Sequence, residues 1–279
     1  MIEFEHVSAA YELETPIVSD LSFRIEDGDF VAFVGTNGAG KSTTMRLING
    51  LLKPTSGCVR INGRSTTDMK ISELARNVGF LFQNPDRQIC CKTVREEMLF
   101  GLRAQGRLDA ASEARVDELL ERFGLDGQAE PFLLNRGARQ LLALLSIVVP
   151  EPPVLILDEP TTGLDYRECE LVMQLAKDLN ERGRTIVMVC HDMEVVGDFA
   201  KRVIALTAGR VVADGPTFDV LRDPEVLAGA DLLAPQIAAI SMDLVQRNPE
   251  LRGSAVEAAN DTVSLAAAVM AFAGKGGER

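Results

Sequence analysis

The sequence lacks the features that mark membrane-spanning and exported proteins. Its longest apolar stretch, Leu141 to Val149, ends at Pro150 and is far shorter than the roughly 20 residues that span a bilayer. The first six residues, MIEFEH, are acidic and lack the basic, apolar and small-residue segments of a secretion signal. We therefore expect a cytosolic chain without a transmembrane helix.

An excess of basic residues is also missing. The chain has 29 Lys and Arg against 41 Asp and Glu, a net charge of −12, whereas a general nucleic-acid binder normally presents a basic face. No nucleic-acid partner is expected, and any polyphosphate ligand must be bound by a local site.

Cysteine spacing gives no disulfide framework. The five cysteines are odd in number and show no Cys-x-x-Cys spacing, unlike the paired cysteines of small secreted domains. We expect reduced thiols, most of them buried, at Cys58, Cys90, Cys91, Cys169 and Cys190.

The patterns that are present predict an α/β protein. Alternating apolar and polar residues before Asp27-Gly28 predict antiparallel strands. Farther along the chain, apolar runs alternate with helical patterns, which predicts a mainly parallel sheet covered by helices. Residues 93–149 show helical segments without a strand, which predicts an inserted helical subdomain. Predicted helices of this insert and of the C-terminal part cover residues 93–104, 111–123, 135–149, 235–247 and 254–272.

The strongest motif is a glycine-rich loop of the form G-x-x-x-x-G-K-[ST] between a predicted strand and a predicted helix. Its residues are Gly35, Thr36, Asn37, Gly38, Ala39, Gly40, Lys41, Ser42 and, just after it, Thr43. Such a P-loop turns backbone N–H groups towards phosphates, while Lys41 reaches the β/γ oxygens and Ser42 ligates Mg²⁺. The alternative is a glycine-rich turn that contains a lysine by chance. Such a turn would not need a strand before it and a helix after it, so the context favours a P-loop.

Two carboxylates follow a predicted buried strand, Val154 to Leu157. Asp158 is predicted to orient the Mg²⁺ shell, and Glu159 stands where a general base could polarise the water that attacks a γ-phosphate. Either carboxylate alone could cap the next helix. The pair in register with a P-loop indicates hydrolysis.

Four segments occur together in one order: Gly35–Thr43 (GTNGAGKST), Gln83, Leu157–Asp165 (LDEPTTGLD) and His191. In order and spacing they resemble the ATP-binding cassette (ABC) family, over about residues 1–225. The resemblance implies an ATPase that uses ATP and Mg²⁺, works as a cassette dimer and drives a membrane partner. An Asn-Lys-x-Asp element for guanine is missing.

The resemblance also implies roles for single residues. Gln83 would contact Mg²⁺ and the attacking water and report occupancy to the membrane partner. Asp165 would belong to the loop that crosses the dimer interface, and His191 would contact the γ-phosphate. Tyr11 would stack on adenine, although an ordinary strand aromatic is the alternative at that position.

One motif departs from the family pattern. The signature region, usually Leu-Ser-x-Gly-(Gln/Glu), is here Leu134-Asn135-Arg136-Gly137-Ala138. Asn135 replaces the serine that would reach the γ-phosphate on the opposite subunit, whereas Gly137 and the helix N-terminus remain to donate backbone N–H groups. Either the composite site is weakened or the substitution is tolerated with full turnover.

Two further stretches look like the energy-coupling factor (ECF) subgroup and its cobalt and nickel relatives. These are Phe82–Gln88 (FQNPDRQ) and Leu227–Pro235 near the C-terminus. The first lies where the resemblance implies docking of a membrane subunit's coupling helices. The tails of ECF ATPases help to dimerise the cassettes; a simple pair of packing helices is the alternative here.

The predicted fold is therefore a P-loop ABC ATPase core with an N-terminal antiparallel β-subdomain, a helical subdomain at about 84–150 and a small C-terminal helical extension. We expect the cassette over residues 1–225 and the extension over 226–279. The predicted function is ATP hydrolysis in an ECF-type importer of a vitamin or metal ion, peripheral on the inner face of the cell membrane. Expected partners are a second cassette, identical or not, and transmembrane coupling and substrate-binding subunits. The alternative is a regulatory or dimerisation module that binds ATP with weak turnover.

Overall fold

The computed structural model describes residues 1–11 and 16–276. Its strands are β1 (Ile2–Ala9), β2 (Val18–Ile25), β3 (Phe30–Val34), β4 (Ser56–Ile61), β5 (Arg64–Ser65), β6 (Val78–Leu81), β7 (Val154–Asp158), β8 (Thr185–Val189), β9 (Arg202–Thr207) and β10 (Arg210–Pro216). Its helices are α1 (Lys41–Ile48), α2 (Ile71–Asn77), α3 (Val94–Ala104), α4 (Ala110–Phe123), α5 (Arg136–Val148), α6 (Tyr166–Glu181), α7 (Met193–Phe199), α8 (Thr217–Leu221), α9 (Pro224–Ala230), α10 (Gln236–Arg247), α11 (Ala255–Ala258) and α12 (Thr262–Gly276).

Two sheets form the framework. The first is antiparallel in the order β2-β1-β4-β5, and the second has the order β10-β9-β3-β8-β7-β6. In the second sheet β10 runs antiparallel to β9, and the other neighbours are parallel. This confirms the predicted antiparallel N-terminal layer and the mainly parallel sheet.

The parallel sheet is covered on both faces, as its continuous apolar strands require. One face packs against the antiparallel sheet, where the rings of Phe23 and Phe33 meet edge to face with centroids 5.5 Å apart. The other face packs against helices, which contribute Leu144 of α5 and Val172 of α6 to the larger core. This sandwich fixes the strand ends that carry the P-loop, Gln83, Asp158 and His191.

The predicted helical insert is observed as α3, α4 and α5. Side-chain caps mark the helix starts: Thr93 for α3, Asp109 for α4 and Asn135 for α5. Helix α4 ends at Phe123, and the next residue, Gly124, has a φ of 64°, the left-handed conformation that glycine adopts at helix ends.

The C-terminal part forms a cluster of its own, in which Val245, Leu251, Val256 and Leu265 pack together. The predicted single helix at 254–272 is wrong, because the chain leaves helical conformation between α11 and α12. Asp261 accepts a hydrogen bond from the backbone N–H of Ser264 at 2.9 Å and so begins a new helix.

Thiol burial also differs from the prediction. All five cysteines are free, but Cys190 alone is buried, and Cys90 is exposed. Cys58 on β4, Cys91 in the loop before α3 and Cys169 in α6 are half-buried. Within the part of the chain that the structure describes, no helix is both long and apolar enough to cross a membrane.

Arg222, after α8, ties the C-terminal cluster to the cassette. Its guanidinium donates to Oδ1 of Asn260 at 2.7 Å and to the backbone carbonyls of Glu257 and Ala259. We expect Arg222→Met to reduce the local stability of the extension by about 1–3 kcal/mol, because these acceptors lose their donor. Hydrogen exchange of α10–α12 measures the loss. The matched control is Arg252→Met at an exposed arginine of the same extension, and equal protection in both variants would contradict the assignment.

Candidate functional site

The P-loop joins β3 directly to α1. Gly35 has a φ of 132°, and a Cβ there would lie 2.0 Å from the carbonyl oxygen of Leu206. Gly40 has a φ of 101° and stands at the start of α1. Residues other than glycine rarely adopt these backbone conformations. The two glycines therefore permit the loop to curl around the N-terminus of the helix.

Lys41 is almost fully buried beneath this loop. Its Nζ donates to the carbonyl oxygens of Gly35 at 2.6 Å and Thr36 at 2.8 Å. Burial lowers the pKa of Lys41, and the charges of Glu159 and Asp158 oppose that effect. The Lys41 ammonium group lies at a helix N-terminus among backbone N–H groups. Together these positive groups can bind phosphate oxygens.

The other loop residues line a cleft or pack into the core. Thr36 and Asn37 line an open cleft of about 1000 Å³ together with His191. Gly38 has a φ of 81°, and Ala39 and Thr43 are buried and fix the loop to the core.

Asp158, at the end of β7, faces the first turn of α1. Its Oδ1 accepts from Ser42 Oγ at 3.3 Å. Burial, and after it the neighbouring charge of Glu159, raises the pKa of Asp158. A carboxylate that is costly to ionise, paired with a hydroxyl, is a set of hard oxygen donors that suits Mg²⁺. The loop and this pair therefore fit the polyphosphate and metal that the sequence predicts.

The carboxylate of Glu159 is contacted by side chains from several segments. Its Oε2 accepts from Gln83 Nε2 at 2.7 Å and from Thr162 Oγ1 at 2.9 Å, and its Oε1 lies 3.2 Å from His191 Nε2. The structure thus brings together Gln83, Glu159 and His191, three residues from three separate segments. Sequence reasoning gave Thr162 no role of its own, although the residue lies within the Leu157–Asp165 segment.

Backbone strain is concentrated at the same residue. Glu159 has a φ of 50°, in the left-handed region that non-glycine residues seldom adopt. Its N–H donates to the carbonyl of Val189 on β8 at 2.9 Å, which holds the turn. Strain of this kind is found at sites where a side chain must be aimed.

A chain of contacts runs from the Gln83 segment to α5. Gln88 Nε2 donates to the carbonyl of Ala143 at 2.7 Å, and its Oε1 accepts from the backbone N–H of Phe82 at 3.2 Å. Nε of Arg139 lies 2.9 Å from Oδ1 of Asp86, close enough for an ion pair. Sequence reasoning assigned no role to these side chains, because only the fold shows which helix they touch.

Asn135, Gly137 and Asp165 lie apart from the P-loop, near helix N-termini. Asn135 caps α5 by accepting from the N–H of Ala138 at 2.7 Å, and Asp165 caps α6 by accepting from the N–H of Glu168 at 2.8 Å. A Cβ on Gly137 would lie 1.9 Å from Glu168 Oε1, so a larger residue there would require the Glu168 side chain to move.

Tyr11 is half exposed and lies beside α1. Its hydroxyl accepts from Arg46 at 2.7 Å, and the guanidinium carbon lies 5.6 Å from the ring centroid. The exposed ring is open to stacking, which is compatible with the predicted adenine contact and does not test it.

The C-terminal part supplies one wall of the cleft. Residues 231–234 line it together with Thr36 and Asn37, and the backbone N–H of Gln236 donates to Glu194 at 2.6 Å. Sequence reasoning treated this part as a separate piece and missed the contact, since a long-range approach of this kind has no local signal.

The fold and the site together define a P-loop nucleotide hydrolase. Residues 18–162, more than half of the chain, match the model of the ABC transporter family. The chain belongs to this family and is an ABC ATPase.

Curated relatives agree with this assignment. A provisionally named ABC transporter ATP-binding protein of Caldanaerobacter subterraneus subsp. tengcongensis is 39% identical over 86% of this chain, which spans 43% of that relative's length. The energy-coupling factor transporter ATP-binding protein EcfA of Methanothermobacter thermautotrophicus is 36% identical over 88% of this chain and 79% of its own. EcfA2 of Clostridium perfringens is 36% identical over 87% and 89%.

Solved structures agree as well. A dimeric ATP-binding cassette in a post-hydrolysis state with ADP and Pi superposes with a TM-score of 0.70 at 31% identity, over 78% of this chain and 99% of that one. The cbiO1 protein of Clostridium perfringens, part of the ABC transporter complex cbiONQ, gives 0.72 at 28% identity, over 90% and 96%.

The raised pKa of Asp158 yields a prediction. An acid with a higher pKa in the folded than in the unfolded state costs stability once pH rises above its ordinary value of 3.8. At neutral pH we expect Asp158→Asn to raise the Tm without nucleotide or Mg²⁺ by about 1–3 °C, and to slow Mg²⁺-dependent ATP hydrolysis by ~10²-fold or more.

Differential scanning calorimetry at several pH values checks the stability effect, which should disappear at pH values below 3.8. Asp219→Asn, at an exposed carboxylate, should leave the hydrolysis rate unchanged. A lower Tm for Asp158→Asn at neutral pH would contradict the cost assigned to its ionised form.

Proposed function

We propose that this ABC ATPase is the ATP-hydrolysing subunit of an ECF-type importer, placed at the inner face of the cell membrane. Support comes from relatives named as energy-coupling factor ATP-binding proteins over most of this chain and from the likeness to a subunit of the cbiONQ complex. The cargo that the resemblance implies is a vitamin or a metal ion, recognised by a membrane subunit.

The convergence of Gln83 and His191 on Glu159 carries the hydrolysis proposal. Glu159 is the general base that accepts a proton from the attacking water. Oε2 of Glu159 already accepts from Gln83 and Thr162 and Oε1 lies beside His191, so the attacking water would lie among these side chains. Gln83 and His191 are thus placed to sense whether the γ-phosphate and water are present.

The remaining residues bind the substrate. Lys41 clamps the β/γ-phosphates beneath backbone N–H groups of the P-loop, and the Tyr11 ring covers adenine. Ser42, Asp158 and Gln83 would hold Mg²⁺, which would supply charge neutralisation at the phosphates.

We expect Glu159→Gln to lower kcat for ATP hydrolysis by about 10²–10⁴-fold, because the amide cannot accept the proton. ATP binding should persist within about threefold, since Lys41 and the P-loop are untouched. Steady-state phosphate release and nucleotide titration measure both quantities in the assembled transporter.

The matched control is Glu181→Gln, at an exposed acid at the end of α6, with an unchanged rate. Unaltered hydrolysis in Glu159→Gln would show that the assigned base is wrong. Tight ATP binding with little turnover in the unmodified assembled transporter would favour the regulatory alternative, for which Asn135 is the supporting residue.

A second, non-identical cassette is the proposed dimer partner. The side-chain oxygen of Asn135 accepts the hydrogen bond that caps α5. Its amide N–H₂ group remains as the donor to a γ-phosphate across the interface. Asp165 and Gly137 would line the same interface. A partner with an intact signature would complete the ATP site of this chain.

The membrane subunit is proposed to dock in an apolar groove next to Gln83. The groove encloses about 350 Å³ and is lined by Leu51, Ile71, Phe82 and Phe100. Leu51, Ile71 and Phe100 are at least half exposed, so a helix laid in the groove would cover them. Phe82 directly precedes Gln83. A docked helix that displaced Phe82 would therefore also displace Gln83 in the nucleotide site.

The C-terminal extension is proposed to help hold the two cassettes together. Val263 and Met270 of α12 are exposed by 79% and 75%. A second copy or a similar extension would bury these side chains.

We expect Phe100→Asp to abolish co-purification with the membrane subunits, because a charge would be buried under the docked helix. The basal ATPase rate of the isolated cassettes should stay within about twofold. Val212→Asp, at an exposed apolar residue of β10, is the control and should retain the complex. An intact complex in Phe100→Asp would place the docking surface elsewhere.

A further inference from the structure

A second cluster of chemically reactive side chains lies outside the nucleotide site. The thiol sulfurs of Cys90 and Cys91 and a carboxylate oxygen of Glu97 all lie within 4.8 Å of one another. The two cysteines belong to the loop that follows the Gln83 segment, and Glu97 lies in the first turn of α3.

Glu97 fixes the backbone of both cysteines. The side chain is almost fully buried, and its Oε2 accepts from the N–H of Cys90 at 2.9 Å and of Cys91 at 2.8 Å. Any residue other than proline supplies such an N–H. These two hydrogen bonds therefore order the loop, but they do not require a cysteine at either position.

The thiols are also poorly explained by packing. Free cysteines are usually buried as small apolar residues, whereas Cys90 is exposed and Cys91 is half-buried. A thiophilic cation binds such thiols as thiolates and displaces their protons.

We propose that Cys90, Cys91 and Glu97 form a binding site for a thiophilic divalent cation of the Zn²⁺ class. Two thiolates and a carboxylate are three of the four ligands that such an ion takes, and sulfur donors select it over Mg²⁺. Each thiol releases one proton on binding, so the ion neutralises two of the three negative charges. The ordered loop brings the donors together in advance, and exposed Cys90 gives the ion access.

The test uses the full chain, reduced with a phosphine and kept in excess Mg²⁺ so that oxygen-ligand sites are filled. Titration with Cd²⁺ is followed by the sulfur-to-metal charge-transfer band, and Zn²⁺ by competition with a chromophoric chelator. We expect one ion per chain, with affinity rising by up to ~100-fold per pH unit because two protons are released.

Matched variants locate the site. Cys90→Ser and the double variant Cys90→Ser/Cys91→Ser should lose ~100-fold or more in affinity, and Glu97→Gln, which keeps an oxygen acceptor for the loop, ~10-fold or more. Cys58→Ser, at a half-buried thiol on β4, should bind as the unmodified chain does. Melting curves without metal check the fold, and Cys90→Ser at its exposed position decides the matter if the double variant is destabilised.

Three results would overturn the proposal. One is an affinity that Cys90→Ser leaves unchanged, and another is the absence of a charge-transfer band at saturating Cd²⁺. The third is a peptide spanning Cys90 and Cys91 that is two hydrogens lighter in the freshly purified chain, which would indicate a disulfide between the neighbours instead of a metal site.

Discussion

The strand order β3-β8-β7-β6 is the constraint on which the site depends. The P-loop follows β3, His191 lies just beyond β8, Asp158 ends β7 and Gln83 lies just beyond β6. Because parallel neighbours end at one edge of the sheet, four distant segments meet there. The left-handed turn at Glu159, held by the carbonyl of Val189, then aims the carboxylate between Gln83 and His191. A slip in register between β7 and β8 would separate these groups.

The same edge is connected to the protein surface by short side-chain contacts. Gln88 joins the segment after Gln83 to α5, and Arg139 on that helix lies against Asp86. Asn135 begins α5, so a shift of the Gln83 segment would move the signature region as well. The apolar groove beside Phe82 lies at the other end of these contacts. These packed, hydrogen-bonded residues form a contiguous path between the proposed docking groove and the nucleotide site.

Much of the site could be predicted from the sequence because its chemistry sits in short motifs at strand ends. Lys41 and Asp158 must lie at a fixed number of residues from their strands, and a single sequence is enough to recognise that spacing. Contacts between distant segments leave no such trace: the approach of residues 231–234 to the P-loop and the contact of Gln88 with α5 depend on tertiary packing. Exposure of Cys90 was mispredicted for the same reason, since an apolar neighbourhood in sequence did not reveal which side of the loop faces solvent.

The central claim is that this ATPase drives an importer together with another cassette and membrane subunits. The most direct measurement is mass spectrometry of the proteins that co-purify with the tagged chain from the membranes of the cells that make it, in mild detergent. The account predicts a second, non-identical cassette, a transmembrane coupling subunit and a small substrate-binding membrane protein in stable ratio. Recovery of the chain from the soluble fraction as a fully active homodimer without membrane subunits would contradict it.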